Sequence, residues 1–350
     1  MTKREINTAS ALAAYFKETP LACAPYGNGL INDTFLVITE QKRYILQRIN
    51  KTVFPRPDRV MENIVAVTEH IRQKVKADGG DAERCTLQVL DTLDGKKYFV
   101  DAEEQFWRLY AFAESTVTLE QVENAKQFYS CGRAFGAFQS QLADFPASTL
   151  HEPLAGLHDT PDRLRKLRTA MERNVCGRAE GVKSEFDTLC AYEGFYSVME
   201  RAELPLRVTH NDTKLNNILF DEKTGQAVLV IDLDTVMPGY SVTDFGDAIR
   251  AGAAKDGTLD LSLFEVFAEG FLQGCEGRLT ERELELLPDS ALLITLELSM
   301  RFLADYLNGD TYFRVHREGH NLDRARNQFK LVSDMESRLD EMRAIVKKYS

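Results

Sequence analysis

The sequence predicts an α+β fold, with a β-rich N-terminal lobe followed by a mainly helical C-terminal lobe. Three observations carry this. Residues 21 to 112 hold short runs of β-branched and aromatic residues, broken by a single helical stretch. Beyond Glu114 the apolar positions repeat at helical spacing instead. A short strand–loop–strand–turn–strand segment over 206–233 is then embedded in the helical half. The change of character at Glu114 divides the chain into lobes of residues 1–114 and 115–350.

In chain order, the stretch 11–16 reads as a short amphipathic helix, stopped by Lys17 and Glu18. Tyr26-Gly27-Asn28-Gly29 is a turn signal ahead of strand-like runs over 34–39 and 44–49. Val60, Ile64, Val67, Ile71 and Val75 give 58–77 a helical period, closed by Gly79-Gly80. Strands follow near 86–90, 97–100 and 106–112, the last carrying Trp107. In the second half, Ala125, Phe128, Gly132, Phe135, Phe138 and Leu142 line one helix face. Thr160-Pro161 reads as an N-cap with proline at the first helical position of a charged helix ending near Asn174. Further helices are expected over 184–201, 259–273, 289–307 and 322–348, with Asn308-Gly309 as a C-terminal stop.

Of 350 residues, 44% are hydrophobic, enough for a large core. The net charge of −11 argues against a nucleic-acid binder, which needs clustered Lys and Arg. It leaves room for a nucleotide, whose cleft needs only a few local cations. Six scattered cysteines without a C-x-x-C pair fit reduced thiols in a cytosolic, cytoplasmic protein. The N-terminus does not read as a signal peptide, and no apolar run reaches the roughly 18 residues of a membrane span.

The chemistry concentrates in His210-Asn211-Asp212-Thr213-Lys214-Leu215-Asn216-Asn217 and Ile231-Asp232-Leu233-Asp234. A carboxylate and an amide lie five residues apart on a loop, and a second carboxylate ends an apolar strand. Phosphoryl transfer from ATP needs groups in that order. Asp212 would orient and deprotonate the attacking hydroxyl, while Asn217 and Asp232 would hold Mg²⁺. His210 reads as architectural, because the other histidines offer no partner at metal-site spacing. Asp234 shares the strand face with Asp232, either as a further metal or substrate contact or as a solvated strand-end acid.

Gly27, Asn28 and Gly29 link two strands, as a hairpin turn or as a loop covering phosphates with backbone N–H groups. Gln47 or Arg48 lies on the strand that would carry a cation for the α/β-phosphates, with Glu62 as a partner for Arg48. A solvated edge-strand arginine is the other reading of Arg48. Asp244-Phe245-Gly246-Asp247 comes twelve residues after Asp232 and outside its strand context. Its acids and Arg250 read as braces for the catalytic loop or as substrate contacts. Arg301 interrupts an apolar helix face, as half of a salt bridge or as a substrate contact.

These runs resemble the aminoglycoside phosphotransferase and choline kinase superfamily through His210-Asn211-Asp212, Asn217 and Ile231-Asp232. Within it, the chain is similar to the N-acetylhexosamine 1-kinases in Gly29-Leu30-Ile31-Asn32-Asp33-Thr34, in Tyr44-Ile45-Leu46-Gln47-Arg48-Ile49-Asn50, in Asp212-Thr213-Lys214-Leu215-Asn216-Asn217 and in Ile231-Asp232-Leu233-Asp234-Thr235-Val236-Met237-Pro238-Gly239, extended by Asp244-Phe245-Gly246-Asp247 and the Arg301 to Tyr312 segment. The similarity runs from about Tyr26 to Tyr312. It implies a bilobal protein-kinase-like fold and transfer of the ATP γ-phosphate to the anomeric hydroxyl of N-acetylglucosamine or N-acetylgalactosamine. Asp33, Asp234, Asp247 and Arg301 would be sugar contacts. The chain departs from the superfamily where Gln47-Arg48 replaces the nucleotide-binding lysine and Asn32 replaces a third glycine.

Overall fold

The structure, a computed structural model, describes residues 7–27, 29 and 31–350. Contacts divide the chain into two compact units. The first comprises Met1–Val117, Ser148–Leu154 and Leu219–Met237. The second comprises Thr118–Ala147, Ala155–Ile218 and Pro238–Ser350.

In the first unit, α1 (Ala9–Tyr15) precedes strands β1 (Ala22–Pro25), β2 (Asp33–Ile38) and β3 (Arg43–Ile49). Then come α2 (Pro57–Ala77), α3 (Ala82–Cys85), β4 (Val89–Leu90), β5 (Phe99–Val100), β6 (Phe106–Ala111) and β7 (Thr116–Val117). Among the described residues, six strands form one sheet in the order β1-β2-β3-β6-β4, with β5 also on β6. All its pairings are antiparallel. The period-2 alternation of β2 and β3 sends Phe35, Val37 and Leu46 to one face, where Trp107, Leu109, Ala11 and Tyr15 complete a core. The Tyr15 hydroxyl donates to the Trp107 carbonyl at 2.9 Å, so the predicted short helix docks on this sheet.

The β2–β3 and β3–β6 registers also decide which polar residues meet, Asp33 and Arg48 on the Trp107 face and Thr34, Gln47 and Arg108 on the opposite one. Asp33 lies opposite Arg48, Thr34 opposite Gln47, and Gln47 opposite Arg108. Three polar pairs are thereby stacked across neighbouring strands. The β7 strand pairs with Ile218–Asp221, which itself pairs with Ala227–Val230, the strand leading to Asp232.

The second unit is helical: α4 (Ala125–Gln141), α5 (Thr160–Arg173), α6 (Lys183–Ala191), α7 (Val198–Arg201) and α8 (Ser241–Gly252), then α9 (Leu261–Cys275), α10 (Glu281–Leu307), α11 (His320–Ser337) and α12 (Leu339–Tyr349). Helices α4 and α9 approach backbone to backbone. A Cβ on Gly132 would lie 2.5 Å from the Phe267 carbonyl oxygen, and one on Gly136 would lie 2.1 Å from that of Phe271. Phe245 of α8 packs among Phe264, Phe267 and Phe271 of α9.

Four boundaries differ from the sequence reading. The cap of α5 is Asp159, whose side chain accepts from the Asp162 N–H, and Thr160 is already helical. The expected helix over 184–201 is two, broken around Gly194. The expected 322–348 helix is α11 and α12, separated at Arg338. Helix α10 begins eight residues before Asp289, with Pro288 inside it. A complete capping box of Thr280 and Glu283 fixes that start, so the proline is accommodated rather than terminating. Among the described residues, no helix is long and apolar enough to cross a membrane.

Candidate active site

In the second unit, the strand Arg207–Thr209 ends at His210, and Asn211 takes a left-handed conformation (φ 64°) that turns the chain. Asparagine tolerates this region better than most side chains. The carboxylate of Asp244, from the first turn of α8, fastens the turn. It accepts the backbone N–H of His210 at 2.9 Å, that of Asn211 at 2.8 Å, and the Gln139 amide at 2.6 Å. Thr213 donates its hydroxyl to the Asp244 carbonyl at 2.5 Å and its N–H to Asp247 at 3.1 Å. The His210 ring lies edge-on to Phe135 and Phe138, and its Nδ1 accepts the Asp212 N–H at 3.3 Å. His210, Asp244 and Asp247 thus hold the 210–213 turn in place through these contacts.

The loop presents Asp212, part-exposed at 28% of its side chain, with both oxygens engaged. Lys214 Nζ forms an ion pair with Oδ1. Asn217 Nδ2 donates to Oδ2 at 3.1 Å and to the Asp212 carbonyl at 2.7 Å. It is Asn217, not Asn216, that reaches Asp212. Because its amide nitrogen faces Asp212, its Oδ1 is turned the other way, leaving a hard oxygen of the kind Mg²⁺ takes.

Asp247 is buried and pairs with Arg250 at 2.5 Å. Burial raises its pKa, but the charges of Arg250 and Lys214 outweigh this and hold it below the usual carboxylate range. Asp244 goes the other way: burial lifts it, and its hydrogen bonds offset only part. Lys214 is disfavoured by desolvation, yet Asp212 and Asp247 keep its pKa above the ordinary lysine value.

Glu297, 2% exposed on α10, accepts from His158 Nδ1 at 3.3 Å and from the Thr160 hydroxyl at 3.2 Å. Burial opposes the charge of His158, and Glu297 more than compensates, so the imidazole pKa is raised. Arg301, one turn on, makes no ion pair among the described residues. Its guanidinium lies over the rings of Phe313 and Tyr312. Asp305, a further turn on, accepts the N–H groups of Thr311, Tyr312 and Phe313 at 2.8–2.9 Å, holding those rings in place.

In the first unit, Asp232 follows the Ala227–Val230 strand in a left-handed conformation (φ 61°, ψ 56°). Asp234 is no solvated acid. It is 3% exposed, forms a 2.5 Å ion pair with the fully buried Arg108, and accepts the Asn32 amide at 2.6 Å. Arg108 also donates to Gln47 Oε1 at 2.8 and 3.0 Å, and Gln47 donates onward to Thr34. The residue standing where a third glycine would be, Asn32, thus ties the 27–32 loop to the Asp234 strand end. Arg108 feels the charges of both Asp234 and Asp232, which keep it protonated despite complete burial.

The expected pairing of Arg48 with Glu62 does not form. Arg48 pairs with Asp33 across the β2–β3 register at 2.7 Å, and Glu62 pairs with His151 at 2.6 Å. Gly27 has φ 75° and Gly29 lies among the described residues, whereas Asn28 lies outside them. The sequence reading missed Arg108, whose only signal was a lone cation between Trp107 and Leu109 in an apolar strand. It also passed over Lys214 and the His158–Glu297 pair.

Residues 22–283 match the model of the phosphotransferase enzyme family, and the chain belongs to that family. Among solved structures it is similar to a microcompartment-associated aminopropanol kinase, at 17% identity and TM-score 0.62, over 95% of this chain and 97% of that one. It is also similar to an aminoglycoside phosphotransferase from Alicyclobacillus acidocaldarius, at 13% identity and TM-score 0.64, over 99% and 98% of the two chains. A spectinomycin phosphotransferase in complex with ADP and spectinomycin matches at 12% identity and TM-score 0.61, over 95% and 99%. At these identities the likeness is one of fold, and that fold is the protein-kinase-like α+β arrangement.

Proposed function

We propose that this phosphotransferase is a Mg²⁺-dependent small-molecule kinase that transfers the γ-phosphate of ATP to the anomeric hydroxyl of an N-acetylhexosamine. Residues 1–114 form its nucleotide-binding lobe, with Gly27, Asn28, Gly29, Gln47, Arg48 and Glu62 around the nucleotide. Residues 115–350 supply catalysis and acceptor binding. Asp212 takes the hydroxyl proton, the hydroxyl oxygen bonds to the γ-phosphorus, and ADP leaves with the electrons of the broken P–O bond. Asn217 and Asp232 would hold Mg²⁺, which neutralises phosphate charge when bound. Asp33, Asp234, Asp247 and Arg301 are the acceptor contacts. The likeness to a phosphotransferase complexed with ADP supports ATP as donor.

One observation carries the choice of a neutral acceptor. The carboxylates assigned to catalysis and to the acceptor already have cations: Asp212 has Lys214, Asp247 has Arg250, Asp33 has Arg48 and Asp234 has Arg108. An ammonium-bearing acceptor needs an uncompensated carboxylate, since desolvating its charge without one is costly. A neutral sugar needs only hydrogen-bonding groups. The fold likeness to an aminopropanol kinase favours the second reading, an amino alcohol or aminoglycoside acceptor.

Incubation with Mg·ATP and a panel of N-acetylglucosamine, N-acetylgalactosamine, glucose, choline, aminopropanol and spectinomycin separates the two. The expected product is a sugar 1-phosphate, whose ³¹P signal couples to the anomeric proton. A 6-phosphate, or turnover of amines alone, would overturn the proposal.

A further inference from the structure

We propose that His158 is an acceptor-binding residue, its Nε2 holding a hydroxyl of the acceptor other than the one phosphorylated. The inference rests on the proposed sugar acceptor and on the assignment of Asp247 and Arg301 to it. His158 Nδ1 meets the buried carboxylate of Glu297 at 3.3 Å. An ionised carboxylate only accepts, so Nδ1 carries the proton and Nε2 is the nitrogen left to other partners. That nitrogen is buried and meets no hydrogen-bonding group among the described residues. The charges of Asp247 and Arg301 both act on the ring, so His158 lies near the two groups of this unit assigned to the acceptor.

A purely structural role explains this pair poorly. The segment before α5 is held without it. Arg163 Nη2 donates to the Leu157 carbonyl at 2.8 Å and to that of Gly156 at 3.3 Å, and Asp159 caps the helix. A buried ion pair contributes little over apolar side chains of the same volume, so stability alone does not explain a carboxylate buried at Glu297. A brace would also use Nδ1 alone. A buried ring nitrogen without a partner is costly, whereas one that completes its hydrogen bond on a ligand gives selectivity. In the free protein water can answer Nε2, and a hydroxyl that reproduces the bond displaces that water at little cost. A hydroxyl both donates and accepts, so it satisfies Nε2 whether the ring is neutral or protonated. An ammonium only donates, and it meets the protonated ring with repulsion. Glu297 is the positioning residue, fixing which nitrogen faces other partners.

The test measures kcat/KM of the full chain for N-acetylglucosamine and its 3-deoxy, 4-deoxy and 6-deoxy analogues. The variants are His158→Leu and the double variant His158→Leu with Glu297→Gln, which leaves no carboxylate stranded. In the wild type, one analogue is expected to lose about 10–100-fold in kcat/KM. In both variants N-acetylglucosamine itself should lose a similar factor, chiefly through KM, and that analogue should then lose less than about threefold more. Thr160→Val, which removes the other side-chain hydrogen bond to Glu297, should keep the wild-type pattern of analogue losses. Mg·ADP affinity, measured by calorimetry, is the control for the fold and should not move. If no analogue is penalised in the wild type, or if the penalised analogue keeps its full loss in the variants, the role of His158 is overturned while the sugar reading stands. If the wild type turns over amines alone, the sugar reading fails in the wild type itself, and this role falls with it.

Discussion

Asp212 and Asp234 are both acids of the signature runs, and their surroundings assign them different work. Asp212 is part-exposed on a braced loop, so Asp212→Asn should leave the fold intact and lower kcat by about 10²–10⁴-fold. A steady-state assay with a thermal melt checks both halves. Asp234 is buried against Arg108. Arg108→Met strands that carboxylate and is expected to cost about 3–5 kcal/mol in urea unfolding. Arg108→Met combined with Asp234→Leu should restore much of the loss, because the unpaired charge is gone. If the double variant is no more stable than the single, the penalty has another source.

At the scale of elements, the Asp244-Phe245-Gly246 run has a local explanation. It lies on α8, where Asp244 fastens the His210–Asn211 turn and Phe245 enters the α9 core. A Cβ on Gly246 would come within 2.6 Å of the Ser290 backbone of α10. The glycine is there for helix approach, not for a magnesium loop. The α4–α9 crossing follows the same rule from both sides, since Gly270 and Gly274 meet the α4 backbone as closely as Gly132 and Gly136 meet that of α9. Gly136→Ala must part the two helices and is expected to destabilise by about 1–3 kcal/mol or more, measured by chemical denaturation. A change within about 0.5 kcal/mol would show that the crossing has slack.

Across the whole molecule, the buried titratable groups set a pH window. Asp247, Glu283 and Glu297 have lowered folded pKa values despite burial, which alone would raise them, chiefly because Arg250, Arg207 and His158 lie beside them. Their stabilisation is present above the ordinary carboxylate range and is lost as pH falls through the folded values. His158 is raised above its ordinary 6.5, so its contribution is complete below that value and lost as pH rises through the folded one. Asp244, raised by burial, likewise favours the fold less once it ionises. Stability should therefore peak in the weakly acidic range. Thermal melts from about pH 5 to about pH 9 should show Tm falling on the alkaline side, and His158→Gln should flatten that fall. A wild-type Tm flat over this range would count against the pairing of His158 with Glu297.

The sequence by itself determined the order of elements and named the candidate reacting groups. Both are written in local code: alternation and helical period for the elements, and the Asp212–Asn217 offset with a strand-end Asp232 for the chemistry. The elements survive largely as read, and a loop of eight residues positions Asp212 beside Asn217 through its own hydrogen bonds. The tertiary structure decided partners. That Arg48 meets Asp33 and not Glu62, and that Asp234 meets Arg108, follows from strand register. Register is fixed by which residues the sheet buries, and no single segment records it. Helix α10 starts earlier than the expected Asp289 for a related reason: a capping box and a buried helix outweigh the backbone hydrogen bond lost at Pro288. The same division holds for function. Local spacing names phosphoryl transfer, while the proposal of a neutral acceptor rests on ion pairs that join distant segments.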